Sequence, residues 1–286
     1  MENLTNINVI KSILEKHGFS FSKGLGQNFL INPDICPKIA EMGNAAPGNG
    51  ILEIGTGFGT LTAELAKRAD KVVAIEIDTR LLPILDETLC DFNNVKIIND
   101  DVMKCDIKKI ITDEFAGMDV SVCANLPYYI TSPIIMMLLE NNLPIKSITV
   151  MVQKEAAQRL CAKVGSRESG AITVAVNYYA DVKKLFSVSR GSFMPAPNVD
   201  SAVIRIDLKD TGKLDKETED AFFKIVKYAF AQRRKTLLNS LSAKMNIDKD
   251  KLVTILESIN INPSVRVEQL DINQLKSLAV SLKAVI

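Results

Sequence analysis

Ile51-Leu52-Glu53-Ile54-Gly55-Thr56-Gly57-Phe58-Gly59-Thr60 holds a short, mostly apolar strand, a glycine run and the start of a helical pattern. The helical pattern continues to Arg68. A strand that passes into a helix through glycines opens a βαβ unit, and small residues let its backbone turn sharply and come close to a ligand. The same rhythm repeats downstream. Lys71–Ile75, Val95–Ile98, Val120–Ala124 and Ser147–Val152 read as strands, with helices over Arg80–Cys90 and Pro133–Glu140. Strands and helices alternating at this spacing predict an α/β, Rossmann-like sheet, mostly parallel and covered by helices on both faces.

Upstream, residues 5–16 form an amphipathic helical pattern, and the loop Gly18–Asn28 has no clear period. The lone His17 lies near that helix end and receives no catalytic role. Downstream, Lys154–Lys163 and Ala171–Tyr179 read as helices, and Val182–Val188 and Ser201–Leu208 as closing strands. From residue 209 the pattern is helical only. The expected division is therefore a ligand-binding domain over 1–208 and a small all-α domain over 209–286, with the charged segment Asp207–Asp220 as linker.

The 286 residues, 47% hydrophobic and 24% charged, suit a globular chain with a sizeable core. No apolar run approaches the roughly 18 residues that would span a bilayer. Met1-Glu-Asn-Leu-Thr-Asn6 lacks the basic-then-apolar order of a signal peptide, so cytoplasmic residence without membrane contact is expected. The cysteines at 36, 90, 105, 123 and 161 are scattered and include no C-x-x-C pair. They are expected to be free thiols, mostly buried, with no disulfide and no metal site. The net charge of +1 makes no case for nucleic acid, but Ala221–Lys251 holds eight Lys/Arg against two acidic residues. Such a block is either a solvated helix face or a phosphate-contacting surface.

In open α/β sheets, ligands bind outside the carboxyl ends of the strands. The residues at those ends are Glu53, Glu76, Asp101 and Asn125, spaced 23, 25 and 24 residues apart. Four successive polar tips predict one ligand crevice. The run Gly55-x-Gly57-x-Gly59 departs from the dinucleotide fingerprint G-x-G-x-x-G, and an acid stands just before its first glycine, where it disfavours phosphate and suits a cation. Glu76, 21 residues after Gly55, is placed to take the two hydroxyls of a ribose. A ribose, an adenine and a cationic tail together describe S-adenosyl-L-methionine, with S-adenosyl-L-homocysteine as product. A nicotinamide-dependent oxidoreductase is disfavoured by the glycine spacing.

Asn125-Leu-Pro-Tyr128 resembles the Asn/Asp-Pro-Pro-Tyr/Phe motif of methyltransferases that modify exocyclic amino groups. With Leu25-Gly-Gln-Asn-Phe-Leu30, Phe193-Met-Pro-Ala-Pro-Asn-Val-Asp-Ser201 and Gln232-Arg-Arg-Lys-Thr-Leu237, the chain resembles the ribosomal RNA adenine dimethyltransferases, in particular their KsgA/RsmA branch. The match runs from about Gly24 to the end, with the motifs in the family's order. The resemblance implies that Asn28 and Leu30 cap the cofactor and Gly55 and Gly57 lie beneath it. It further implies that Glu76 binds the ribose, Asp101 the adenine amino group, and that Asn125 lines the methyl-transfer end. It makes Asn125, Leu126, Pro127, Tyr128 and Phe193 the catalytic set, with Tyr128 and Phe193 sandwiching a flipped base. Arg233, Arg234 and Lys235 would contact the RNA backbone. Read alone, Leu30 could be core, Asn28 a turn residue, Tyr128 a surface cap and Phe193–Pro197 a packed proline turn.

The reaction this implies is dimethylation at N6 of two adjacent adenosines near the 3′ end of 16S ribosomal RNA, by a monomer acting on the assembling 30S subunit without a metal. Two alternatives remain. One is an Erm-type enzyme of large-subunit RNA conferring macrolide resistance, and such proteins match Phe193–Ser201 poorly. The other is a non-catalytic assembly or RNA-binding factor, against which the intact Glu76, Asp101 and Asn125 argue. Tyr129 has no assigned role and is placed in packing by default.

Overall fold

The computed structural model describes residues 4–209 and 214–285, so Met1–Asn3 and part of the expected linker, 210–213, lie outside the described residues. Contacts group Met1–Ala157 with Lys183–Leu208, and Gln158–Val182 with Lys209–Ile286. The boundary expected near 208 is one of the junctions. Residues 158–182, placed by sequence with the sheet, cluster instead with the C-terminal helices.

In the first unit a two-residue strand β1 (Phe29–Leu30) precedes β2 (Asn49–Ile54), β3 (Lys71–Glu76), β4 (Val95–Asn99), β5 (Asp119–Asn125) and β6 (Ser147–Gln153). They are followed by β7 (Ala180–Val188), β8 (Phe193–Met194) and β9 (Ser201–Leu208). Seven of these form one sheet in the order β4-β3-β2-β5-β6-β9-β7, while β1 pairs with β8 alone. Pairings from β4 through β6 are parallel, and β9 returns antiparallel to β6. The burial follows from this order. The inner strands β2, β3, β5 and β6 are covered on both faces and read as continuous apolar runs, whereas the edge strand β7 alternates. The order reverses between β2 and β5, because the chain first builds outward to β4 and then crosses back.

Helices α1 (Ile7–Lys16), α2 (Ile35–Met42), α3 (Thr60–Ala66), α4 (Leu82–Thr88), α5 (Ile107–Phe115) and α6 (Thr131–Glu140) accompany the sheet. Ile39 and Cys36 of α2, Leu61 and Leu65 of α3 and Cys123 of β5 belong to one core cluster. Ile10 and Ile13 of α1 join Leu81, Ile84 and Leu85 in a second. That second cluster anchors the N-terminal segment through a run of phenylalanines the sequence reading passed over. Phe29 stacks on Phe58 of the glycine loop, with centroids 3.9 Å apart and planes at 21°; Phe19 packs edge-on against Phe58, and Phe21 lies tilted at 43° to Phe29. His17 caps α1 and pairs with Glu87 at 2.8 Å, a surface contact in keeping with its lack of a catalytic role.

The second unit contains the short α-helix α8 (Ala171–Tyr179), which follows α7 (Lys154–Leu160), and then α9 (Lys216–Ala231), α10 (Leu237–Met245), α11 (Lys249–Ser258) and α12 (Ile272–Leu282). Asp215, Thr236, Asp248 and Asp271 cap the last four, each accepting a backbone N–H from the first turn. Tyr178, Tyr179, Phe222 and Phe223 form its aromatic core, with Tyr179 and Phe223 stacked at 5.5 Å. None of the described helices is long and apolar enough to cross a membrane.

Two expectations need correction. The sequence reading left 35–42 and 107–115 without helices, yet α2 and α5 form there, both short and each bringing a few fully buried side chains to the sheet. None of the five cysteines forms a disulfide, and only Cys36 and Cys123 are buried; Cys90 is exposed and the other two are intermediate, because they sit on helix ends and loops rather than on sheet-facing positions.

Removing the Phe58 ring, which is 3% exposed, should lower unfolding stability by about 3–5 kcal/mol in chemical denaturation. Amide exchange in Phe58→Ala should rise over residues 19–30 more than in β2 and β5, since the ring is what the N-terminal segment stacks upon.

Candidate active site

The strand order brings the four polar tips side by side as Asp101, Glu76, Glu53 and Asn125, with the reversal falling between the last two. All four line one open cleft, together with Asn28, Leu30, Gly55, Gly57, Leu126, Pro127 and Tyr128. The described lining holds Glu53, Glu76, Asp100 and Asp101 but no lysine, arginine or histidine. The acids other than the fully buried Glu53 make its electrostatics oppose a phosphate and favour a cation.

The floor of the cleft is the glycine loop. Gly55 and Gly57 have φ of 78° and 56°, and a Cβ on Gly57 would lie 2.7 Å from the Phe29 ring. Only glycine satisfies both the left-handed backbone and the close packing. Gly57 N–H and the Thr56 hydroxyl both donate to Glu76 Oε2, at 3.2 and 2.9 Å, while Asp78 N–H donates to Oε1 at 2.9 Å. A carboxylate offers about four acceptor sites, so Glu76 arrives oriented with one still open.

Asp78, which sequence reasoning missed, ties this corner to the N-terminal loop. Its carboxylate accepts from Gln27 Nε2 at 2.7 Å and from the Arg80 guanidinium at 2.6 and 2.8 Å. The Arg80 guanidinium beside it, assisted by Gln27, holds the Asp78 carboxyl below the usual carboxylate range. The signal was available: Asp78 lies two residues after Glu76, and Gln27 just before Asn28. Asn28 Nδ2 then donates to the Gly26 carbonyl at 3.0 Å, and the Asn28 carbonyl accepts from Asn125 Nδ2 at 3.1 Å.

That last bond fixes the amide of Asn125. With its NH₂ turned to the Asn28 carbonyl, its Oδ1 is left as an acceptor, and the adjacent Leu126 carbonyl has no donor among the described residues. Leu126 is buried and its N–H is held by Met151 O at 3.3 Å. Pro127 O receives Ile130 N–H and the Thr131 hydroxyl, which locks the turn into α6. The Tyr128 hydroxyl bonds Ser201 Oγ at 2.6 Å, and burial raises its pKa, partly offset by that contact.

Phe193 behaves otherwise. It is 3% exposed, pairs with Leu30 across β1–β8 and belongs to the core that holds Ile39 and Leu65, outside the cleft lining. It backs Leu30 at the edge of the site. Ser201, the last residue of the motif Phe193–Ser201, bonds the Tyr128 hydroxyl. In the second unit, the Arg233 guanidinium donates to the Arg167 carbonyl and lies 3.8 Å from Glu268, while the side chains of Arg234 and Lys235 have no partner among the described residues.

Glu53 is the outlier among the tips. It is fully buried, and neither carboxyl oxygen has a hydrogen-bond partner, nor does the nearby Thr62 hydroxyl. Burial, opposed in part by the nearby Thr62 hydroxyl and reinforced by the Glu76 charge, pushes its pKa up to about 8. The thiols of Cys36 and Cys123 are raised by burial and then by Glu53, which leaves them unreactive.

A sequence model of the ribosomal RNA adenine dimethylases matches residues 18–283. The chain belongs to this ribosomal RNA adenine dimethylase family. Among its relatives, the proteins named ribosomal RNA small subunit methyltransferase A from Bacillus mycoides strain KBAB4 and Bacillus cereus strain AH187 are each 47% identical over 286 residues, which cover 99% of this chain and 98% of theirs. A dimethyladenosine transferase from Plasmodium falciparum superposes with a TM-score of 0.77 at 28% identity, covering 90% of this chain and 98% of its own. The 23S ribosomal RNA methyltransferase ErmE follows at 0.69 and 27%, covering 89% and 99%.

The buried acid of this dimethylase-family chain makes a prediction of its own. Glu53 ionises near the ordinary carboxylate value when unfolded but keeps its proton to about pH 8 when folded. Folding therefore takes up a proton in that window, and stability falls as pH rises from about 5 to about 8. Glu53→Gln should flatten this decline in thermal unfolding; the same slope in both proteins would show that Glu53 is ionised throughout.

Proposed function

We propose that this protein transfers methyl groups from S-adenosyl-L-methionine to N6 of two adjacent adenosines near the 3′ end of 16S ribosomal RNA, giving N6,N6-dimethyladenosines during 30S biogenesis. The observation that carries the reading is the pair of acceptors, Asn125 Oδ1 and the Leu126 carbonyl, at the end of an acidic cleft without cations. The 47% identity over the whole chain to small-subunit enzymes favours this target over large-subunit RNA.

The residues present fit the cofactor. Glu76 has an acceptor left for a ribose hydroxyl, Asp101 stands at the adenine end, the glycine loop admits close backbone approach, and Asn28 and Leu30 wall the near side. S-adenosyl-L-methionine supplies a methyl group already activated by its sulfonium, so the protein's task is placement. Adenine N6 is a poor nucleophile because its lone pair is delocalised into the ring. Accepting its two hydrogens at Asn125 Oδ1 and the Leu126 carbonyl favours a more tetrahedral nitrogen and aims the lone pair. Such alignment is a large part of the barrier reduction in reactions of this kind. Pro127 holds Leu126 extended so that its carbonyl faces the amine. Tyr128, braced through Ser201, offers a ring for the base, worth ~1–3 kcal/mol of stacking. The target base must leave its stack or lie in an unpaired segment to enter. In the helical unit, Arg234 and Lys235, whose side chains have no partner among the described residues, are available to RNA phosphates, with Arg233 beside them.

Incubation with under-methylated small subunits, followed by mapping of modified nucleotides, should locate methyl groups on the two adjacent adenosines. Methylation of large-subunit RNA with none in small subunits would reverse the assignment. Asn125→Ala should lower kcat by roughly a hundredfold or more, the scale for losing one aligned polar contact in a transition state, while RNA binding stays near wild type. Calorimetry should detect S-adenosylhomocysteine binding and no binding of NAD.

A further inference from the structure

Tyr129 is the residue after the braced Tyr128, and it is 61% exposed, more than any other large apolar side chain that stands out from the described surface. It lines the mouth of the cleft. A Cβ placed on Gly26 would lie 3.2 and 3.4 Å from two of its ring atoms and 3.8 Å from Pro127 Cβ, so the ring rests against the loop backbone at van der Waals distance. Its hydroxyl has no hydrogen-bond partner among the described residues, in contrast to that of Tyr128. Neither burial nor a polar contact accounts for an aromatic ring held at this place, although the Gly26 backbone stands beside it.

A purine drawn into the cleft against Tyr128 loses the stacking of its neighbour in the RNA, and the neighbour loses half of its own. That neighbour stays tied to the target by one phosphodiester, so it is confined to the cleft mouth. We propose that Tyr129 is a positioning residue that stacks the nucleotide adjacent to the target base. The platform takes any base through its π-face and a purine best through its larger area. For a substrate of two neighbouring adenosines, it lets either one occupy the mouth while the other is methylated. The inference rests on the proposed RNA substrate. It also gives Gly26 a second task, because the loop that holds Asn28 then supports the edge of the platform.

The test compares the wild-type protein, Tyr129→Ala and Tyr129→Phe on under-methylated small subunits. Losing one base–aromatic stack predicts a KM for subunits about tenfold to a hundredfold higher in Tyr129→Ala, with a much smaller change in kcat. Tyr129→Phe, which keeps the ring, should restore a KM close to wild type. Calorimetry should give S-adenosylhomocysteine the same affinity in all three. In subunits whose neighbouring adenosine is replaced by uridine, the penalty of Tyr129→Ala should shrink. An unchanged KM in Tyr129→Ala, or an equal penalty with uridine, overturns the inference. So does weakened S-adenosylhomocysteine binding in Tyr129→Ala, which would assign the ring to the cofactor loop. Wild-type protein that methylates no small subunit removes the proposed substrate and this platform together, and is told apart by the unmutated control.

Discussion

The hydrogen bond from Asn125 Nδ2 to the Asn28 carbonyl, 3.1 Å long, joins two parts of the chain that are remote in sequence. It exists because β5 lies next to β2 in the sheet, which puts Asn125 beside the glycine loop, and because Phe29 stacks on that loop and holds Asn28 above it. An asparagine has donors and acceptors on one small group, and satisfying the donors from one side decides where the acceptor can serve. The geometry offered to the substrate is therefore set by a backbone carbonyl 97 residues away.

Around this bond the site is a chain of mutual restraints. Gln27 holds Asp78, Asp78 N–H holds Glu76, and Glu76 holds Gly57. The N-terminal loop and the strand tips are thus one polar network, resting on an apolar one of phenylalanines. Loosening either layer frees the loop that carries Asn28. Glu53 stands apart from the network. It occupies a tip position by spacing, yet its side chain points into a layer with Cys123 and Thr149 in register across β5 and β6, where no partner meets it.

The sheet was legible from sequence because its inner strands are continuous apolar runs between clear turn signals. The tips Glu76, Asp101 and Asn125 followed from strand ends alone. Helices α2 and α5 were not legible: each is a few turns long, and Cys36-Pro37 and Ile110-Ile111-Thr112 carry weak helical signals of their own. The bond from Ser201 to Tyr128 was not legible, because a motif names residues and not the contacts they make. The block containing Arg233 showed charge but could not show that Glu268, 35 residues on, claims part of it. Contacts between distant residues decided each of these points, and local pattern carries no record of them.

The cleft that binds no counter-charge has a consequence for life among abundant metabolites. A ligand recognised through adenine and ribose shares those groups with every adenine nucleotide in a cell, and contacts to them cannot tell one from another. Discrimination must come from the part that differs. A lining with three acids besides the protonated Glu53, and no described cation, makes a triphosphate or pyrophosphate tail repulsive where a sulfonium and ammonium are welcome. By leaving out an arginine, the site stays open to its scarce cofactor in the presence of a large excess of close chemical kin.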